Sequence, residues 1–269
     1  MSKAAIGLAE LTVALLEGRS VVTEQYSQAP LQLHRPLYLD GDLYPTVFLK
    51  TPSSGLLGAD KHQLSVHACP ASTIKILNQS ATLVYPGASE QQIEIDIAGG
   101  ATVLFEPCPL IFAAGANLTQ TVRIEMAPTS RLSYTDEWSA GRIAMNERWQ
   151  FERFDNTIEI LVGGLLRYRE RFILEPVKAS PTEPVIGQHF TKFKSVYYFG
   201  PWLDSDLPPE YAKQEYLSDQ SLNQEYLNQE TPSRDSAAQE HRLTWRLKRP
   251  WGTVDRLLSA SPATQTTAD

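Results

Sequence analysis

The chain has 269 residues, of which 42% are hydrophobic and 20% charged. That composition supplies a real core and excludes the disordered, collagen-like and disulfide-scaffold classes. The formal net charge is -7, and residues 204–240 hold nine acidic against two basic side chains, so one segment carries the whole excess. A nucleic-acid binder would show a basic face, and this balance excludes one.

Leu11, Val13 and Leu15 alternate with Thr12 and Ala14, Glu17-Gly18 signals a turn, and Val21-Val22-Thr23 follows. This predicts a β-hairpin, with a short helix over 6–16 as the alternative. Pro30 and Pro36 bracket an extended segment suited to a sheet edge. Val47-Phe48-Leu49 is a short buried strand that ends at Pro52. From Asp60 onward short apolar–polar alternations succeed one another, with turn residues every eight to twelve positions. Leu64/Val66/Ala68, Ile74/Ile76, Leu83/Tyr85, Ile93/Ile95/Ile97, Val122/Ile124/Met126 and Leu132/Tyr134 carry the pattern, and residues 165–174 close it. The expected fold is mainly β: many short, largely antiparallel strands in stacked or closed sheets. No strict sequence period supports a solenoid.

Beyond residue 176 the character changes. Phe190, Phe193, Tyr197, Tyr198 and Phe199 predict an aromatic-rich strand. Residues 204–209 predict a loop. Residues 210–229 lack Gly and Pro and predict an acidic helix, so a small helical C-terminal part is expected. Residues 243–258 predict a final strand or helix. The organisation expected is a β-rich core over 1–176 and an extension over 177–269, in the same domain or closely packed on it.

Catalytic signatures are absent: there is no HExxH, GxSxG, Walker A or GxGxxG. His62 and His67 are five apart, which on a strand puts them on opposite faces and makes them a poor metal pair. Gly55 and Gly58 suit a tight turn rather than a phosphate cradle. Asp60, just after, reads as an Asx-type cap or as a carboxylate facing a polar channel. Asp136, Glu137, Arg142, Glu147, Arg148 and Glu152 crowd one segment that also holds Trp138 and Trp149; close alternation of sign suits a paired surface. Cys108, between Pro107 and Pro109, is a weak soft-metal candidate and more simply a lone buried thiol. Cys69 and Cys108 are the only cysteines, and two free thiols in a reducing compartment are expected. No apolar run reaches membrane-span length, and the N-terminus lacks signal-peptide character, so a cytoplasmic protein is expected.

Several segments resemble the urease accessory protein D (also called H; UreD/UreH) family. Gly55-Leu56-Leu57-Gly58-Ala59-Asp60 resembles its Gly-Gly-Leu-x-Gly-Gly-Asp motif. Ser80-Ala81-Thr82-Leu83-Val84-Tyr85 resembles its Ala-Ala-Thr-Lys-x-Tyr segment. Pro107-Cys108-Pro109-Leu110-Ile111-Phe112, with Gly115-Ala116 after it, is similar to its Leu-Pro-Gln-Pro-x-Ile stretch and following Gly-Ala. Glu137, Gly141-Arg142 and Glu147 match its Glu…Gly-Arg…Gly-Glu order. Residues 32–36 fit its Pro-Leu-x-x-x-Arg-Pro segment. The resemblance covers residues 8–176. It departs at Ala59 and Asn146, which stand where the family has glycine, and at Cys108, where the family has a polar residue.

The resemblance implies a non-enzymatic scaffold in urease maturation. Its implied partners are the urease apoprotein, accessory protein F and the GTPase accessory protein G, with no nucleic acid or membrane partner. No tightly bound cofactor is implied; nickel is in transit through a polar passage, and oxygen-rich, exchangeable sites suit a conduit. By position it points to Asp60, Glu137, Glu147 and Glu170 as passage or interface residues, and to Gly55, Gly58, Gly141 and Arg142 as the structural motif. Asp60→Ala is expected to fold and to lower nickel incorporation. The alternative is a β-rich binding module without a metal role.

Overall fold

A computed structural model describes residues 4–52, 55–176, 190–202, 240–246 and 252–259. β1 (Ile6–Leu16) and β2 (Arg19–Gln28) form the predicted hairpin, so residues 6–16 are strand, not helix. Next come β3 (Gln32–Leu33), β4 (Thr46–Lys50), β5 (Gly55–Leu56), β6 (Lys61–Ala68), β7 (Thr73–Asn78), β8 (Thr82–Val84) and β9 (Gly87–Ile97). The chain continues through β10 (Thr102–Glu106), β11 (Leu110–Phe112), β12 (Ala116–Met126) and β13 (Arg131–Ser139). β14 (Arg153–Val162), β15 (Leu165–Leu174), β16 (Lys192–Phe199), β17 (Glu240–Arg246) and β18 (Gly252–Ser259) complete it. A 3-10 turn, Ile143–Met145, is the one helical element among the described residues. The predicted helix at 210–229 and the loop at 204–209 lie outside them, while residues 243–258 contribute to the two strands β17 and β18.

The strands form two facing sheets. The first runs β15-β14-β12-β9-β6-β1-β2, and the second runs β17-β18-β16-β13-β10-β7-β4-β3, with β11, β8 and β5 joined to it beyond β13. Among the described residues ten of the sixteen strand pairings are parallel, which corrects the antiparallel expectation. From β6 to β14 the chain alternates between the sheets and returns beside its own previous turn. Leu64 pairs with Ile93, and Ile93 with Val122, a step of 29 residues each time. In the second sheet Ile74, Val103 and Leu132 repeat the same step. The middle of the molecule is therefore a β-solenoid. The period escaped sequence reading because it conserves only which positions are apolar, not which residues fill them. Antiparallel hairpins finish the first sheet at both edges, β2 at one and β15 at the other.

Strand alternation turns Leu64, Ile93, Val122 and Ile158 inward against Ile76, Val103, Tyr134 and Tyr197 to make one apolar cluster. A second cluster holds Leu56, Leu118, Phe112, Phe154, Trp138 and Phe193. Trp138 lies flat on Phe193 with ring centroids 3.9 Å apart, so it is core rather than interface.

Candidate functional site

Between the two apolar clusters lies a polar layer. On β12, Leu118 belongs to one cluster and Val122 to the other, and the inward residue between them is Gln120. The same happens on β14 (Phe154, Asn156, Ile158), β13 (Trp138, Asp136, Tyr134) and β16 (Phe193, Ser195, Tyr197). On β15 Glu170 sits between Tyr168 and Phe172, which pack on different clusters. Register aligns the polar members. His62, Gln91, Gln120 and Asn156 are direct neighbours across β6, β9, β12 and β14. In the second sheet Asp136, Ser195 and Arg256 line up across β13, β16 and β18. With strands about 4.8 Å apart, the row from His62 to Asn156 spans about 14 Å. A line of polar side chains through a core forfeits apolar burial and must satisfy its own hydrogen bonds. Such a sacrifice of stability is characteristic of functional sites.

Asp136 is 5% exposed. Its carboxylate accepts from Gln120 Nε2 at 3.1 Å and from Asn156 Nδ2 at 3.0 Å. Burial pushes its pKa up to about 6; the two amide hydrogen bonds and Arg256 oppose the rise, and nearby Glu170 adds to it. Glu170 accepts from the Tyr168 hydroxyl at 2.7 Å and the Tyr197 hydroxyl at 3.0 Å, and pairs with the Arg256 guanidinium. Burial holds both phenols above their usual range, so at neutral pH they act as donors. Two carboxylates, the amides of Gln120 and Asn156, two phenols and an arginine thus form one interior oxygen-rich unit.

Of the sequence-derived residues, Glu170 enters this layer and the other three carboxylates do not. Asp60 is 4% exposed and caps its turn: Oδ2 accepts from the Leu57 N–H and Oδ1 from the Ala5 N–H, both at 3.1 Å. Asp60 thus ties the turn before it to the segment at Ala5, a cap on the preceding turn rather than an Asx turn, and Asp60→Ala does not suit a folding-neutral test, because it would strand two backbone donors. Glu137 faces away from Asp136, since neighbours on a strand alternate, and its closest basic partner is Lys194 at 3.9 Å. Glu147 is gripped by both arms of Arg142, one bond being Nε to Oε2 at 2.6 Å, and also accepts the Ala114 N–H at 3.2 Å. That fork holds its carboxyl below the usual range. Arg142 and Glu147 thus close a loop, one whose backbone passes so near Gly141 that a Cβ there would meet Glu147 O at 2.0 Å. Gly55 has φ +154, and a Cβ on it would meet Leu83 O at 1.9 Å. At Gly58, which is not left-handed, a Cβ would meet Pro86 O at 2.6 Å. The Cys108 thiol donates to Asn78 O at 3.4 Å, and burial, with Glu137 nearby, raises its pKa. Cys69 and Cys108 are both free thiols.

Gln91, Gln120 and Asn156 are the members the sequence did not single out, while Asp136 read as part of a paired surface and His62 as a poor metal ligand. The signal was present: Leu-Thr-Gln-Thr-Val at 118–122, Phe-Asp-Asn-Thr-Ile at 154–158 and Tyr-Thr-Asp-Glu-Trp at 134–138 each break an inward apolar row with one polar residue. A concavity of about 390 Å³ lies elsewhere, on the outer face of the first sheet among Glu10, His67, Glu94, Asp96, Arg123 and Glu125. It is an open depression on a solvated face, whereas the buried layer is where polar groups converge. No three His, Cys, Asp or Glu side chains converge as a metal cluster among the described residues, and no described helix is long and apolar enough to cross a membrane.

A family model described as UreD urease accessory protein matches residues 5–248. The chain belongs to that family. It is 34% identical over 194 residues to urease accessory protein UreD 2 of Synechococcus sp. (strain JA-3-3Ab), covering 68% of this chain and 71% of that one. It is 37% identical over 188 residues to urease accessory protein UreD of Synechococcus sp. (strain JA-2-3B'a(2-13)), covering 66% and 68%. It is 29% identical over 163 residues to urease accessory protein UreH of Helicobacter pylori (strain HPAG1), covering 60% and 61%. Within this UreD family frame, Ala59 and Asn146 are informative. Both hold the left-handed conformation, at φ 74 and φ 59, that a glycine adopts without cost. The turns keep their shape at these positions; asparagine tolerates it and alanine bears strain.

Proposed function

We propose that this chain is a urease maturation scaffold that binds the urease apoprotein together with accessory proteins F and G, and that nickel bound for urease moves along its polar layer. It acts by binding and routing, not by catalysing a reaction. Family membership supports the maturation role. The observation that carries the route is the pair Asp136 and Glu170, two interior carboxylates in a row of amides and hydroxyls between apolar walls. Oxygen donors of this kind bind a divalent cation weakly enough to release it, while the apolar clusters keep it from straying. Free Cys69 and Cys108 agree with work in a reducing compartment, the cytoplasm.

The test is co-expression with urease and accessory proteins F and G, followed by nickel per urease active site. Asp136→Asn and Glu170→Gln are expected to form the complex and to lower nickel loading. Failure of the unsubstituted chain to join the complex would overturn the scaffold reading. A full complex with full nickel loading in both variants would overturn the route and leave a binding module without a metal role.

A further inference from the structure

The end of the molecule opposite Asp60 and the Arg142–Glu147 loop carries no charge along its middle. There the chain crosses between the sheets by turns at 69–72, 98–101 and 127–130, and β14 turns into β15 at 163–164. None of these residues is charged, in a chain that is 20% charged. The turns are bonded into one row. The Ala71 N–H donates to Gly99 O at 3.0 Å, the Gly100 N–H to Thr129 Oγ1 at 3.1 Å, and the Gly163 N–H to Met126 O at 2.9 Å. Exposed leucines stand at both ends of the row. Leu15 and Leu16 close β1 at one corner, where Leu43 is 69% exposed beside them, its carbonyl accepting the Ser20 N–H at 2.8 Å. Arg19 stacks over Tyr38, whose hydroxyl donates to Ser20 O at 3.0 Å, so this corner is held in place. Leu165 and Leu166, 58% and 51% exposed, open β15 at the other corner. The strand order from β1 through β6, β9, β12 and β14 to β15 sets the corners about 24 Å apart.

Charge is depleted from the cores of protein interfaces, and exposed apolar side chains gathered on one face mark a contact surface. A neutral row gives a charged partner nothing to pair with. A second copy of this chain fits it for two reasons. Copies of a chain of net charge -7 repel one another, and this face lets them meet without like-charge contact. Its two leucine corners also sit at opposite ends of one row, the arrangement an isologous contact needs. A twofold axis through the middle of the row, between β9 and β12, lays each corner on the opposite corner of the other copy. The same axis brings the exposed Glu17 and Asp42 beside the first corner to Arg167 beside the second. We infer that this face is a dimer interface between copies of the chain, with Leu15, Leu16 and Leu43 of one copy against Leu165 and Leu166 of the other. With sheets about 10 Å apart and side chains on either flank, the face offers about 500 Å² per copy. About 1,000 Å² in all is the threshold of a specific interface, so the dimer is weak and reversible. The inference depends neither on the nickel route nor on the maturation role.

Sedimentation of the full chain alone, from nanomolar to submillimolar concentration, is expected to show a monomer–dimer equilibrium in the micromolar range. Each corner is used twice in the dimer, so Leu16→Asp and Leu166→Asp should each weaken it about tenfold or more. Corner pairing is read separately. In a background with Cys69 and Cys108 changed to Ser, chains with Leu16→Cys and chains with Leu165→Cys are mixed with a short bis-maleimide. Mixed pairs should cross-link, and neither chain alone should. Monomer throughout the concentration range would overturn the proposal. So would a dimer indifferent to both aspartates, or cross-links between identical corners. A monomeric parent whose aspartate variants lose the urease apoprotein or accessory proteins F and G would likewise overturn it, and would give the face to that partner. Should the aspartate variants unfold, the cross-linking pattern decides.

Discussion

Gln120, on β12 of the first sheet, donates from Nε2 to Oδ1 of Asp136, on β13 of the second, at 3.1 Å. This hydrogen bond crosses the interior where apolar contact would otherwise join the sheets. Gln120 also reaches Asn156 Oδ1 at 3.1 Å, and Asn156 in turn donates to the other oxygen of Asp136 at 3.0 Å. The three side chains close a ring of bonds in which Asp136 is the only member that titrates.

That ring gives Asp136 a defined pH signature. Burial raises its pKa to about 6 in the folded protein, against about 4 unfolded. Below pH 4 the group is protonated in both states and contributes nothing. Above pH 6 it is ionised in both, and the folded state bears the cost of the buried charge. Its contribution to stability therefore falls as pH rises through 4 to 6, by about 3 kcal/mol. Asp136→Asn is expected to remove this component, so the variant's stability relative to the parent should climb across that window. Urea unfolding at a series of pH values checks it; parallel pH profiles would contradict it.

Glu170→Gln keeps the shape of the side chain and removes the charge that pairs with Arg256. The arginine side chain is 25% exposed and also donates to Ser195 Oγ at 2.9 Å. A loss of about 2–4 kcal/mol is expected. Thermal and urea unfolding both read it, and a change below about 1 kcal/mol would mean that solvent takes over the pairing.

Ala59→Gly is expected to stabilise the protein. The left-handed backbone costs alanine about 1–2 kcal/mol, and the greater freedom of glycine in the unfolded chain returns part of that. A net gain of about 0.5–1 kcal/mol should appear as a higher urea midpoint. Asn146→Gly, by the same measurement, should change little, because asparagine already accepts the conformation at φ 59.

Gly141→Ala should do the opposite. Its φ of +149 is unfavourable for alanine, and the added Cβ would meet the Glu147 carbonyl oxygen at 2.0 Å. Relief requires moving the backbone of the loop that the Arg142–Glu147 fork holds. A destabilisation above about 2 kcal/mol is expected, with Arg142→Ala as the comparison that loosens the loop without the clash. Equal unfolding midpoints for Gly141→Ala and its parent would show that the loop gives way freely.

Alternation along each strand was written in the chain and was enough to class it as β and to place His62 and His67 on opposite faces. The glycine turn, the paired prolines around Cys108 and the Gly141-Arg142…Glu147 loop were likewise local, which is why the family resemblance could be read from them. Strand direction was not local. Alternation of period two is the same for parallel and antiparallel neighbours, so only the 29-residue return of the chain beside itself decided that the sheets are mostly parallel. The polar layer had the same origin. His62, Gln91, Gln120 and Asn156 are far apart in sequence and become a row only through register, and Asp136 rather than Glu137 faces inward because Trp138 and Tyr134 on either side of it are claimed by the two apolar clusters. A residue's own neighbours determine which face it takes; which side chains it meets there depends on long-range pairing, and that pairing exists only in the folded chain.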